Sequence, residues 1–221
     1  MVKVKICGIK RTEDALAAVR FGADAIGLLV GQRHAATDFI TADEATAIVK
    51  ALPPFCSSVL VTHLDRAEEI VPLARSIGVT TIQLHGDSSP EDARAIRENL
   101  PHLKLIKAVH VTDAESIEVA RRYADSVDAI LLDTVNVATD QVGGTGMTHD
   151  WGISRRIVET AGLPVILAGG LNPDNVTAAI EAVRPFGVDV NSGTKGPDGF
   201  KDMAKLRVNG KFVRIFCSKF G

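Results

Sequence analysis

Eight short apolar, β-branched runs punctuate this 221-residue chain, and their regular return is the feature that most restricts its fold. They lie at 2–7 (VKVKIC), 24–30 (DAIGLLV), 57–62 (SSVLVT), 79–84 (VTTIQL), 103–109 (LKLIKAV), 128–133 (DAILLD), 163–168 (LPVILA) and 187–191 (GVDVN). Between them, apolar residues recur three and four apart, as in Ala15, Leu16 and Val19 or Val176, Ala179, Ile180 and Val183, which is the period of a helix with one buried face. Helix-start signals precede several of these stretches: Thr12-Glu13-Asp14, Thr41 with Glu44 three residues on, Ser88-Ser89-Pro90-Glu91 and Asn172-Pro173-Asp174. Eight strand–helix units with no linker or low-complexity break predict an α/β protein, a single (β/α)8 TIM barrel over residues 1–207. A doubly wound sheet is the alternative, because periodicity does not report whether a sheet closes. Residues 208–221 form a separate question. Asn209-Gly210 is a turn signal where the last helix should run, while Phe212, Ile215, Phe216 and Phe220 beyond it still have helical spacing.

Composition narrows the function classes. A net charge of -2, scattered basic residues, one Trp and one Tyr give no basis for nucleic-acid binding. No apolar run approaches the ~18 residues of a membrane span, and Met-Val-Lys leads straight into strand-like sequence, so neither a membrane segment nor a signal peptide is expected. A cytoplasmic location is the expectation. The three cysteines, Cys7, Cys56 and Cys217, have neither disulfide-framework nor zinc spacing, and no histidine pair has the i, i+4 spacing of a helical metal motif. No metal is expected.

In a barrel of this kind, chemistry sits at the carboxyl ends of the strands. Cys7 ends the first strand on the same face as Lys3 and Lys5, so it is either a small core residue or a thiol in an electropositive site. Gly169-Gly170 follow the seventh strand, and Ser192-Gly193 the eighth. Glycine-rich turns after these two strands are the usual phosphate site of the fold, because backbone amides can approach an anion there. Asp133 is the single carboxylate at the mouth of an apolar strand, and the long loop after it contains Gly143-Gly144-Thr145-Gly146, which suits a segment folding over a ligand. Around a closed barrel, strands one and six are three positions apart through eight and seven. Cys7 and Asp133 would then flank a phosphorylated ligand as an acid–base pair, with Lys5 and the loop amides lowering the thiol pKa. His85 ends the fourth strand within reach of such a ligand; His63 and His110 follow strands three and five, His34 and His149 sit in loops, and His102 lies at the opposite end.

The segments KICGIK, GADAIG, IQLHGD, LLDT…GGTG…DW, VILAGGLNPDNV and VRPFGVDVNSG, in this order from residue 5 to about 193, resemble the motifs of phosphoribosylanthranilate isomerases. That resemblance implies an Amadori rearrangement of an N-phosphoribosyl anthranilate in tryptophan synthesis, without metal or cofactor. It implies Cys7 as general base, Asp133 as general acid and Asp189 as a contact of the sugar chain. It also implies phosphate-binding and loop roles for Gly144, Gly169, Gly170, Ser192 and Gly193. The expected partner is a small phosphorylated sugar substrate, bound by a monomer or homodimer with no nucleic acid or membrane.

Three segments depart from the family pattern. Where a Ser-Pro-Arg-like segment usually supplies an arginine for the anthranilate carboxylate, this chain has GQRHAATDFI, in which Arg33 or His34 would take that part. His149 stands where an aromatic is common, and Asn191 where serine is usual. Three readings follow: the isomerase itself, a paralogue using the same acid–base pair on another phosphoribosylamine, and a non-catalytic sugar-phosphate-binding barrel. The presence of both Cys7 and Asp133 speaks against the third, since binding alone requires only the glycine loops.

Overall fold

Side chains along β1 (Lys3–Ile6) alternate between two destinations, and the same alternation organises the whole molecule. Val4 and Ile6 join the apolar layer beneath the helices, whereas Lys5 and, just past the strand, Cys7 turn into the enclosed interior. The computed structural model describes residues 2–33, 37–136, 141–142 and 149–207. After β1 come β2 (Ala25–Leu29), β3 (Ser57–Thr62), β4 (Thr81–Leu84), β5 (Lys104–His110) and β6 (Ala129–Asp133). A short antiparallel hairpin, β7 (Val135–Asn136) and β8 (Gln141–Val142), precedes β9 (Val165–Leu167) and β10 (Gly187–Val190). The order β1-β10-β9-β6-β5-β4-β3-β2 closes into a parallel barrel, which decides between the two architectures the sequence allows. The hairpin was not anticipated from the sequence.

Among the described residues, seven helices connect the barrel strands: α1 (Thr12–Arg20), α2 (Ala42–Ala51), α3 (Ala67–Ile77), α4 (Pro90–Asn99), α5 (Ser116–Arg122), α6 (Trp151–Thr160) and α7 (Val176–Val183). Residues 203–207 are helical as well, and 208–221 lie outside the described residues. Local signals start several helices as expected. At α2, Thr41 Oγ1 accepts from the Glu44 amide and Glu44 Oε2 accepts from the Thr41 amide, and Ser89 with Asp92 repeats this box at α4. At α7, Asn172 Oδ1 instead accepts from the amides of Asp174 and Asn175, and the helix begins at Val176 with all four expected apolar residues buried. In α1 the buried face is Asp14, Ala15 and Ala18, and Leu16 is exposed, contrary to the apolar spacing. Asp14 is buried because it accepts from Arg11 Nε and from the Lys201 amide.

Two kinds of core result. The larger fills the shell between helices and barrel; the smaller lines the interior, with Cys7, Leu29, Val59 and Val61 on one side and Ile106, Ala108, Leu131 and Ile166 on the other. Strands β2, β3, β5, β6 and β9 supply these interior residues, with Cys7 just past β1.

Candidate active site

One layer below the mouth, register sets Lys5 opposite Asp189 on the neighbouring strand, and Lys5 Nζ donates to Asp189 Oδ2 at 2.6 Å. Both side chains are almost wholly buried, at 4% and 7% exposure. Burial pulls the Lys5 pKa down, but Asp189 and Cys7 hold the ammonium and raise it on balance. The other oxygen, Asp189 Oδ1, is buried and has no hydrogen-bond partner among the described residues. A buried carboxylate oxygen left unpaired is an acceptor still open to a donor.

Cys7 sits directly above. Gly27 on β2 makes room for it, since a Cβ there would fall 2.7 Å from Cys7 Sγ and 3.1 Å from Lys5 Cε. That is a structural reason for the glycine in GADAIG, which sequence reading quoted without giving it a role. The expectation of a lowered thiol pKa is corrected: burial pushes Cys7 up to about 11, against Lys5 and Lys201, which pull it down. Lys5 is weakened as an activator because its charge is already matched by Asp189, which itself raises the thiol.

Asp133 ends β6 on the inward face, accepting from the Thr134 amide at 2.7 Å. Burial raises its pKa to about 6, with Asp189 adding to the rise and the Thr134 amide and Lys5 opposing it. Beside it stands His85, whose Nε2 is 3.7 Å from Asp133 Oδ2. Edge-to-face contacts to His63 (4.9 Å between centroids) and His110 (5.4 Å) clamp the ring, and Gln83 Nε2 lies 3.0 Å from its Nδ1. Burial, with neighbouring histidines and lysines, lowers the His85 pKa far enough to keep it neutral, and burial brings His110 to about 4. The mouth thus holds a carboxyl of raised pKa beside two imidazoles, His85 and His110, of lowered pKa.

Between Cys7 and Asp133 lie the turns after β9 and β10. Gly169 and Gly170 have φ of +80° and +64°, where glycine alone is unstrained, and Asn175 Nδ2 donates to the Gly170 carbonyl at 3.0 Å to lock the turn. Ser192–Thr194 forms a 3-10 turn, and a Cβ on Gly193 would fall 2.1 Å from the Leu171 carbonyl oxygen, so the two turns touch. The amides of Gly170, Ser192 and Gly193 have no hydrogen-bond acceptor among the described residues. Converging unpaired amides make a cradle for an anion. Gly144 and His34 fall outside the described residues. His149 sits against Gly169 and between two hydroxyls: Thr134 Oγ1 lies 3.0 Å from its Nδ1 and Ser154 Oγ 2.6 Å from its Nε2, tying the end of β6 to α6.

Cys7, Asp133, His85, Asp189, Gly169, Gly170, Ser192 and Gly193 thus come together. Arg33 does not. Its guanidinium is turned to Asp65 at 3.3 Å and Glu69 at 3.0 Å, with the side chain 52% exposed. Asp65, from the β3–α3 connection, and Glu69, in the first turn of α3, hold it on the outside. Sequence reading also missed a polar cluster beside the mouth. Asp38 bonds Asn191 Nδ2 at 3.0 Å and pairs with Lys195, and Lys201 Nζ donates to Asn191 and Thr194. Asn191 was noticed only as a departure, and no local signal marks Lys201.

Comparison with known proteins gives a consistent picture. The family model described as N-(5'-phosphoribosyl)anthranilate (PRA) isomerase matches residues 4–212. N-(5'-phosphoribosyl)anthranilate isomerase 2 of Methanosarcina mazei is 49% identical over 205 residues, covering 93% of this chain and 91% of the relative. The corresponding isomerase of Methanocella arvoryzae is 47% identical, covering 97% and 99%. The crystal structure of phosphoribosyl anthranilate isomerase from Thermotoga maritima superposes with a TM-score of 0.86 at 38% identity, covering 97% and 99%. A phosphoribosyl anthranilate isomerase in complex with reduced 1-(o-carboxyphenylamino)-1-deoxyribulose 5-phosphate superposes with a TM-score of 0.82 at 36% identity, covering 97% and 99%.

Proposed function

The chain belongs to the N-(5'-phosphoribosyl)anthranilate isomerase family, and from that premise we propose that Cys7 and Asp133 carry its reaction. It is an isomerase of tryptophan biosynthesis, converting N-(5'-phosphoribosyl)anthranilate into 1-(o-carboxyphenylamino)-1-deoxyribulose 5-phosphate by an Amadori rearrangement. The observation supporting these roles is the pairing of a buried inward thiol on β1 with a buried inward carboxyl on β6, the glycine turns of β9 and β10 lying between them.

Protonated Asp133 gives its proton to the ribose ring oxygen. The C1'–O bond breaks, and the anthranilate nitrogen lone pair forms an iminium at C1'. That cation acidifies the hydrogen on C2', which the Cys7 thiolate removes, and the electrons left behind neutralise the iminium as an enolamine. Tautomerisation then gives the ketone. One proton leaves Asp133 and one reaches Cys7, so the pair holds one proton before and after the rearrangement and none while the iminium stands between the two steps. Asp133 is suited to donation because burial has brought it to about 6, and Cys7, at about 11, is a strong base once ionised. The iminium that forms beside it then stabilises the thiolate until it takes the C2' proton.

The remaining roles belong to the same reading. Amides of Gly169, Gly170, Ser192 and Gly193 bind the phosphate, with Gly144 from the long loop, and Asp189 Oδ1 accepts from a sugar hydroxyl. His85 holds the substrate edge next to Asp133. Exposed ion pairs are worth about 0–1 kcal/mol, so Arg33 exchanges Asp65 and Glu69 for the substrate carboxylate at little cost. The reading includes a cytoplasmic monomer or homodimer without nucleic-acid or membrane partners; among the described residues no helix is long and apolar enough to cross a membrane.

The test is turnover of N-(5'-phosphoribosyl)anthranilate, followed by loss of its anthranilate fluorescence, for the native protein, Cys7→Ser and Asp133→Asn. Turnover should fall by about 10²–10⁴-fold in each variant. In the native protein, kcat/KM should rise as the pH passes about 6, where the doubly protonated pair loses its first proton. A folded variant that keeps turnover within tenfold removes that residue from the mechanism.

A further inference from the structure

Lys201 lies beyond the last barrel strand, yet its side chain is buried and returns to the mouth. The ammonium donates to the Asn191 carbonyl at 2.9 Å, to Asn191 Oδ1 at 3.1 Å and to Thr194 Oγ1 at 3.1 Å. Its own backbone is fixed by donation to Asp14 Oδ2 at 3.1 Å and by a bridge to Lys195. Asn191 in turn is seated against the residue after the thiol, since a Cβ on Gly8 would fall 2.3 Å from Asn191 Oδ1. The Cys7 amide donates to the Val190 carbonyl at 2.9 Å, immediately before Asn191. Asn191, next to Val190 and seated against Gly8, therefore links the site of the cation to the strand end that carries the thiol.

The charges around Cys7 make this cation distinct. Lys5 from β1 is matched by Asp189 from β10, and Lys195 is matched by Asp38. Asp133 faces the same interior from β6. Lys201 bonds three neutral oxygens and forms no ion pair with a carboxylate among the described residues. A buried ammonium without a counter-ion carries a desolvation cost that neutral acceptors offset only in part. Holding the turn would require only a neutral donor.

We propose that Lys201 is a positioning residue for the base: its unmatched buried charge favours the thiolate of Cys7, and Asn191 sets the distance over which it acts. This rests on Cys7 being the base of the isomerase. Burial brings the Lys201 pKa to about 8, opposed by Cys7, Asp38 and Asp189 and assisted by Lys195, so the charge is present below that pH and lost above it.

The test reads the thiol directly, without substrate. Cys56→Ser and Cys217→Ser leave Cys7 as the one cysteine, and its alkylation by iodoacetamide is timed between about pH 6 and 7.5, where Lys201 is protonated. Lys201→Gln retains an amide donor and drops the charge. Alkylation should slow by about tenfold, the effect of roughly one pKa unit, and kcat should fall in parallel with little change in KM. Alkylation within about twofold of the parent overturns the proposal, even if turnover falls. Should Lys201→Gln fail to fold, Asn191→Asp places a carboxylate against the ammonium and should slow alkylation likewise; an unchanged rate is again decisive against it. If the isomerase assignment itself were wrong, the parent would lack turnover whatever the alkylation rates.

Discussion

Replacing Asp189 with asparagine should leave the Lys5 ammonium buried beside an amide instead of a carboxylate. The native pair is 2.6 Å apart, with 4% and 7% of the two side chains exposed, so water cannot take over the lost partner's role. Removing one member of a buried pair typically costs about 3–5 kcal/mol. The retained amide oxygen still accepts from Lys5, which puts the expected loss at the lower end, about 3 kcal/mol. For a chain of this size, 1 kcal/mol moves the melting temperature by about 2–4 °C, so Tm should fall by roughly 6–12 °C. Circular dichroism melts at pH 7.5 would measure this for Asp189→Asn, Lys5→Met and the double variant. The double variant should lose clearly less than the sum of the singles, because it leaves no uncompensated charge. A drop of less than about 2 °C in Asp189→Asn, or simple additivity in the double variant, would show that the pair is not the buried, mutually dependent unit inferred here.

Two further outcomes follow from the mouth. Asp133 carries a pKa raised from 3.8 to about 6, so the folded state holds an extra proton between these values; its stability contribution is greatest at low pH and is lost as pH rises through about 6. Asp133→Asn should therefore raise stability by about 3 kcal/mol at pH 7.5, with the gain vanishing near pH 4, and a difference that is flat with pH in melting experiments would refute this. Gly27→Ala should displace Cys7, because the added carbon lies 2.7 Å from Sγ, costing about 1–3 kcal/mol of stability and lowering kcat more than KM. Unchanged melting and turnover would mean that strand β2 yields without disturbing the thiol.

Much of the site was legible because its parts are local. Cys7, Asp133 and the two glycine turns each end a recognisable strand, and the rule that chemistry gathers at those ends brings them together once the order of strands is known. His85 was equally visible at the end of β4, though nothing in IQLHGD foretold its edge-to-face packing between two other histidines. His149 was noticed only as a departure, because its partners, Thr134 and Ser154, lie on separate elements. Arg33 was read toward the ligand because a lone arginine in a loop has no visible partner in the sequence, while Asp65 and Glu69 reach it only after β2 and β3 pair.

The sequence by itself determined the eight barrel strands and the helices that alternate with them, since the period of burial is written in each segment without regard to its partner, but not the short hairpin after β6. It also determined the placement of glycines where backbone approaches closely. Tertiary structure alone decided that the sheet closes, that Lys5 meets an aspartate 184 residues away, and that Lys201 returns to the mouth. It decided the ionisation of the acid–base pair as well. Burial raises Asp133 and Cys7, and burial is a property of what surrounds a group in space. Lys5, although two residues from Cys7, is weakened as an activator by its match with distant Asp189, a compensation that no stretch of sequence around the cysteine contains.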